Sequence, residues 1–170
     1  AGIAPGEVLL VVMGHSRRMI TTYLGAIALG AVPALVSTPT PRIDLALYRR
    51  RVEALVAAAE AAAVVIDAGD SGPLREVLSG TSCRVIAADA LAAEPDESAL
   101  APAAPERTAF IQFSSGTGGA QKGIAHTHAA VLRYIECKRR DHALTADDVI
   151  VNWTPLYHDQ GLVSGLLAPL

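Results

Sequence analysis

Six consecutive residues, Ser114, Ser115, Gly116, Thr117, Gly118 and Gly119, supply hydroxyls and unobstructed backbone N–H groups, and Lys122 follows closely. Glycine tolerates the positive φ values that turn successive N–H groups toward one anion. Lys122 adds a compact charge on a flexible stem, so the stretch can grip a polyphosphate. Taken alone, a Gly/Ser cluster has a plainer reading as a glycine-rich turn between two strands. It is not a Walker-type loop, which needs Gly-x-x-x-x-Gly-Lys-Ser/Thr before a helix. Counting from Gly116, Gln121 takes the place of the second glycine and Gly123 that of the hydroxyl residue, so the magnesium-binding hydroxyl is missing at its spacing.

The flanking residues say what must hold this loop. Ala109 to Phe113 is an apolar run that reads as a buried strand, and Gly123 to Thr127 reads as extended, with Thr127 as N-cap of a helix starting near His128. The loop is therefore expected to join strand to strand, away from any helix dipole. On that reading His126 and His128 would share one face of a strand as a possible metal pair, but two ligands do not make a zinc site. A serine-hydrolase pairing of Ser115 with His158 lacks the Gly-x-Ser-x-Gly elbow.

Upstream, strands alternate with helical patterns. Val8 to Met13 is a continuous apolar strand; a helix follows from about Ser16 to Leu29, then a strand at Ala31 to Val36. An alanine-rich helix over Leu45 to Ala63 leads to a strand at Val64 to Ile66, a helix near Pro73 to Leu78, and a strand at Arg84 to Ala87. This order predicts an α/β fold of layered βαβ units with a mostly parallel sheet. Residues 91–106, rich in Ala, Pro and acidic side chains, break the rhythm and read as an internal surface linker within a single partial domain spanning 1–170.

Composition narrows the function classes. The chain has 170 residues, 51% hydrophobic and 18% charged, which favours a buried core over disorder. Net charge is −3, and the basic triplets Arg49-Arg50-Arg51 and Lys138-Arg139-Arg140 read as solvated helix faces, so no nucleic-acid partner is expected. Met19 to Pro41 carries no charge and follows Arg17-Arg18, imitating a membrane anchor. Thr21, Thr22, Gly25, Gly30 and Pro33 interrupt it, so a buried helix is expected there and no membrane span. Cys83 and Cys137 fit reduced thiols and a cytoplasmic location better than a disulfide framework.

A second segment, Asn152-Trp-Thr-Pro-Leu-Tyr-His-Asp-Gln-Gly-Leu-Val163, joins the loop in pointing to one family. Both resemble motifs of the adenylate-forming superfamily: acyl-CoA synthetases, fatty acyl-AMP ligases, peptide-synthetase adenylation domains and luciferases. In the loop, Phe113, Ser115, Gly116, Thr117, Gly119, Lys122, Gly123, Thr127 and His128 match the superfamily's phosphate motif. Gly118 stands where Thr or Ser is usual, and Gln121 where Pro is usual. Downstream, Pro155, Leu156, Tyr157, His158, Asp159, Gly161 and Leu162 match its Pro-Leu-Tyr-His-Asp-x-Gly-Leu.

The resemblance implies a reaction of ATP, with Mg2+, and a carboxylate, expected to be a fatty acid, giving acyl-adenylate and pyrophosphate for transfer to CoA or to an acyl or peptidyl carrier protein. It implies phosphate binding by Ser114 to Gly119 and Lys122, and a place for His158 beside the reacting carboxylate and α-phosphate. The chemistry is consistent: two anions meet, so the site must supply positive charge or N–H donors, and histidine donates from either ring nitrogen. Asp159 either orients His158 or caps the next helix, capping being the simpler role. The resemblance covers the first part of the superfamily's large N-terminal region. The ribose aspartate, a magnesium carboxylate and the C-terminal lysine have no counterpart here, so the chain is expected to be a fragment that cannot complete adenylation alone. A P-loop-like NTPase and a non-catalytic scaffold, the latter motivated by Gly118 and Gln121, remain the alternatives.

Overall fold

A computed structural model describes residues 2–67, 75, 78, 83–91, 100–102, 104–114 and 121–170. The first half builds a four-stranded sheet from β1 (Val8–Val12), β2 (Val32–Leu35), β3 (Ala63–Ile66) and β4 (Arg84–Ala87), in the order β2-β1-β3-β4. All three pairings are parallel: Leu9 sits opposite Pro33 on one side and Ala63 on the other. Pro33 has no N–H to donate, which suits β2 to an edge of this sheet.

The two described crossovers cover opposite faces. Helix α1 (Arg17–Ala28) joins β1 to β2, and α2 (Leu45–Ala59) joins β2 to β3. Leu9 and Val11 pack with Met19, Tyr23 and Ala26 of α1, while Leu10 and Val12 pack with Tyr48, Val52, Leu55 and Val56 of α2. The strand period of two thus divides β1 between two cores, as expected of a sheet covered on both faces. Tyr23 is completely buried, and its burial pushes the phenol well above its ordinary range.

Side-chain caps set the helix starts. Ser16 Oγ accepts from the Met19 N–H at 3.1 Å, and Asp44 Oδ1 accepts from the Ala46 and Leu47 N–H groups at 2.8 and 3.3 Å. Helix α2 ends at Ala59, short of the Ala63 expected from its alanine content. Glu60 turns left-handed at φ 48°, and Ala63 instead pairs with both Leu9 and Arg84. Strand pairing in the core overrides the helical preference of alanine. Of the helix expected near Pro73 to Leu78, only Arg75 and Leu78 are described, both helical, and most of the linker expected over 91–106 lies outside the described residues.

The second half starts with an antiparallel hairpin, β5 (Thr108–Ser114) and β6 (Lys122–Thr127), paired from Thr108–Thr127 to Ser114–Lys122. Strand β5 lies beside β2 and sends Phe110 into one core and Ile111 and Phe113 against the other. The segment from Ser114 to Lys122 therefore joins strand to strand, as its sequence predicts. Thr127 caps α3 (His128–Asp141), its hydroxyl accepting from the Ala130 N–H at 3.2 Å. His128 opens that helix, so the expectation that His126 and His128 share a strand face is corrected: the cap falls between them. The His126 ring instead stacks on Phe110, with centroids 4.9 Å apart. A π-type helix, Gln160–Leu167, packs on α3. Among the described residues, no helix is long and apolar enough to cross a membrane.

Candidate active site

The carboxyl ends of β2 and β5 converge with the turn that carries Tyr157 and His158. Between them lies a cleft of about 300 Å³ whose walls include Ser37, Arg51, Ser114, Gln121 and His158. Ligands of open α/β sheets bind beyond the carboxyl ends of the strands, and the cleft has that position. Tyr48 Oη donates to the Ser37 carbonyl at 2.8 Å, which ties α2 to the cleft wall beyond β2.

The cleft brings Ser114 and His158 together although they are distant in sequence. Ser114 closes the hairpin ladder opposite Lys122, and its hydroxyl donates to the Lys122 carbonyl at 3.4 Å. Lys122 is exposed at the throat of the hairpin, adjoining Gln121 of the cleft wall. Ser115, Gly116, Thr117, Gly118 and Gly119 lie outside the described residues.

The loop bearing His158 is fixed from both sides. Leu156 is buried in the core, and the His158 N–H donates to the Pro155 carbonyl at 3.0 Å. Asn152 spans the turn: Nδ2 donates to the Thr154 carbonyl at 3.2 Å and the Gly161 carbonyl at 3.4 Å, while Oδ1 accepts from the Thr154 N–H at 2.9 Å. The π-type helix approaches so closely that a Cβ on Gly161 would strike the Pro155 and Thr154 carbonyl oxygens, and one on Gly165 would strike Asn152. Two glycines four apart on one helix face are the sequence signal of this packing, which motif reading alone passes over.

His158 and Asp159 differ in surroundings. The His158 ring is exposed, lies 4.8 Å between centroids from Tyr157 and lines the cleft. Asp159 Oδ1 accepts from the Gln160 N–H at 2.8 Å at the start of the π-type helix, the capping role that is the simpler of the two expected. A second recess of about 200 Å³, lined by Met13, His15, Met19 and Leu156, adjoins the cleft across Tyr157. Among the described residues, no group of three His, Cys, Asp or Glu side chains is placed to hold a metal ion.

Arg49, Arg50 and Arg51 are exposed, as a solvated helix face predicts, and the last of them makes a further contact. Arg51 is exposed, but its Nε donates to Gln121 Oε1 at 2.9 Å and it forms part of the cleft wall. The signal lay in its spacing: Tyr48, Val52 and Leu55 are the buried stripe of α2, and position 51 borders it.

The model of the AMP-binding enzyme family matches residues 1–170, and the chain belongs to that family. It is 36% identical over 137 residues to a 3-hydroxybenzoate–CoA ligase of Aromatoleum, covering 77% of this chain and 26% of that protein. It is 26% identical over 170 residues to a medium-chain-fatty-acid–[acyl-carrier-protein] ligase of Moorena producens, covering 96% of this chain and 28% of that protein. An adenylation domain of a keto acid-selecting peptide-synthetase module, solved with a keto acyl adenylate, superposes with a TM-score of 0.88 at 23% identity, covering 99% of this chain and 31% of that one. The α/β fold with a mostly parallel sheet is thus shared with part of that adenylation domain. The chain spans about a quarter to a third of the length of its first curated relatives, at 25% and 31%.

Proposed function

We propose that the full-length protein activates a carboxylic acid by joining it to ATP, releasing pyrophosphate and leaving an acyl-adenylate, and that this chain contributes the phosphate grip and one wall of the reacting centre. The observation that carries the reading is the convergence of Ser114 and His158 on one cleft at the carboxyl end of β2 and β5. The α/β fold alone hosts many chemistries, so the weight rests on that cleft and on membership of the family.

In the reaction a carboxylate oxygen attacks the α-phosphorus, a P–O bond forms, and the bond to the β-phosphate oxygen breaks with its electron pair leaving on pyrophosphate. Catalysis of such a step is mainly positioning and charge stabilisation. The Ser114–Gly119 segment with Lys122 would hold the β and γ phosphates. His158, exposed to the cleft and with no hydrogen bond to its ring among the described residues, is free to donate to the carboxylate or α-phosphate oxygens. Mg2+ would arrive with the nucleotide and neutralise phosphate charge.

The acid is proposed to be a fatty acid, with CoA or a carrier protein as acceptor. The Moorena relative is named for a medium-chain fatty acid and acyl carrier protein, and the Aromatoleum relative for 3-hydroxybenzoate and CoA, so an aromatic acid is the competing substrate. Soluble enzyme in the cytoplasm is part of the same proposal.

The roles are tested by steady-state kinetics on the full-length protein. Lys122→Ala is expected to raise KM for ATP by about 10-fold or more, and His158→Ala to lower kcat by about 10- to 100-fold with KM for ATP little changed. Equal kinetics for His158→Ala and wild type would remove His158 from the reacting centre.

A further inference from the structure

We propose that Arg51 is a positioning residue for Lys122: its guanidinium, carried on α2, holds Gln121 of the cleft wall and thereby fixes the residue that follows it. The proposal rests on the reading of the cleft as a phosphate site given above, and adds to it a residue and a mechanism of loop positioning. Arg51 Nε donates to Gln121 Oε1 at 2.9 Å, a contact that spans 70 residues of sequence. Both residues line the cleft that holds Ser114 and His158.

Three features make this contact more than an incidental surface bond. First, its base is rigid: Tyr48, Val52 and Leu55 on the same helix are buried, and Tyr48 is bonded to Ser37. Second, its basic neighbour Arg49 is engaged with Glu53 at 2.8 Å, whereas among the described residues no carboxylate pairs with Arg51 and its bond goes to a neutral amide. A cation unspent on an acid makes a strong bond to a carbonyl oxygen. Third, the bond lands just beyond the end of the hairpin ladder. The hairpin ladder ends at the Ser114–Lys122 pair, so Gln121 is one residue beyond the last pairing. Ser114 reaches the Lys122 carbonyl from one strand, and Arg51 restrains the residue before Lys122 from the other side.

A proline at position 121 would restrict the backbone by its ring, without a side-chain tie. Gln121 has no such restriction, and the bond to Arg51 supplies it from outside the hairpin. Because residue 121 lies beyond the paired register, proline there removes no ladder hydrogen bond. The substitution Gln121→Pro should therefore make Arg51 dispensable.

The test is a double-mutant cycle in the full-length protein with Arg51→Ala, Gln121→Pro and the combination, and with Arg51→Gln as a variant that keeps more of the side-chain stem. Two quantities are read: hydrogen exchange of the Lys122 and Gly123 amides without nucleotide, and KM for ATP in the carboxylate-dependent reaction. Arg51→Ala and Arg51→Gln are each expected to speed amide exchange about 3- to 10-fold and to raise KM for ATP by a similar factor, with KM for the carboxylate changed less than about 2-fold. Adding Gln121→Pro to Arg51→Ala should restore both. Failure of that rescue overturns the proposal, since Arg51 would then act on the ligand directly. Unchanged amide exchange in both Arg51 variants overturns it too, since the contact would then restrain nothing. Amide exchange judges the tie even if the protein turns over no carboxylate, so failure of the enzymatic reading is distinguishable from failure of this one.

Discussion

His158 and Asp159 are neighbours in the chain with different attachments. Both line the cleft, but the Asp159 carboxylate accepts from the Gln160 N–H, while among the described residues no hydrogen bond reaches the His158 ring, which lies beside Tyr157. A motif match treats the two alike, because adjacent residues match equally well; the hydrogen bond distinguishes their attachments. Asp148 offers a residue whose task can be read from titration. Its carboxylate accepts from the Thr145 N–H at 2.7 Å and from the Thr145 hydroxyl at 3.0 Å, and these bonds hold it below its ordinary range. The folded pKa lies below the unfolded value of about 3.9, so the stabilisation is present above that pH and is lost as pH falls through the folded pKa. Asp148→Ala is therefore expected to melt at lower temperature than wild type at pH 7, with the gap narrowing as pH falls from about 4 to 3. A gap that stays constant over thermal melts from pH 7 to 3 would show that the carboxylate bonds contribute nothing.

At the scale of elements, the turn from Asn152 to Asp159 is held by close packing against the π-type helix, and this can be broken selectively. Alanine in place of glycine gains about 1 kcal/mol in a helix interior, but overpacking a close contact costs about 1–3 kcal/mol and occasionally more. At Gly161 the obstacle is the backbone of Thr154 and Pro155, which cannot rotate away; at Gly165 it is Asn152 down to its Cβ, with the amide held by its bonds to Thr154 and Gly161. Gly161→Ala and Gly165→Ala are thus each expected to destabilise by about 1–3 kcal/mol, measured by urea unfolding. Equal stability of Gly161→Ala and wild type would contradict the packing described. The same contrast explains what was legible in the sequence. Ser16 and Thr127 were readable as helix starts because a cap acts within three residues of itself. The end of α2 was not, because Glu60 adopts its left-handed turn to deliver Ala63 to a strand pairing with distant residues. The Arg51–Gln121 bond was out of reach for the same reason.

For the whole molecule, the strand and helix alternation predicted a layered α/β fold, and the sheet order β2-β1-β3-β4 with helices on both faces realises it. The sequence could not indicate which ends of these strands would meet. That required the hairpin β5–β6 to lie beside β2, bringing Ser114 to a cleft shared with His158. Family membership follows from a match over residues 1–170. The matched part of the chain spans 31% and 25% of the lengths of its first relatives, so the activity is proposed for the full-length protein and is tested there. The decisive measurement is isotope exchange between pyrophosphate and ATP by the full-length protein, with and without a carboxylic acid drawn from fatty and aromatic series. The predicted result is exchange that depends on the acid, with no ADP formed. Release of ADP and phosphate in the absence of any acid, with no pyrophosphate exchange in its presence, would contradict it.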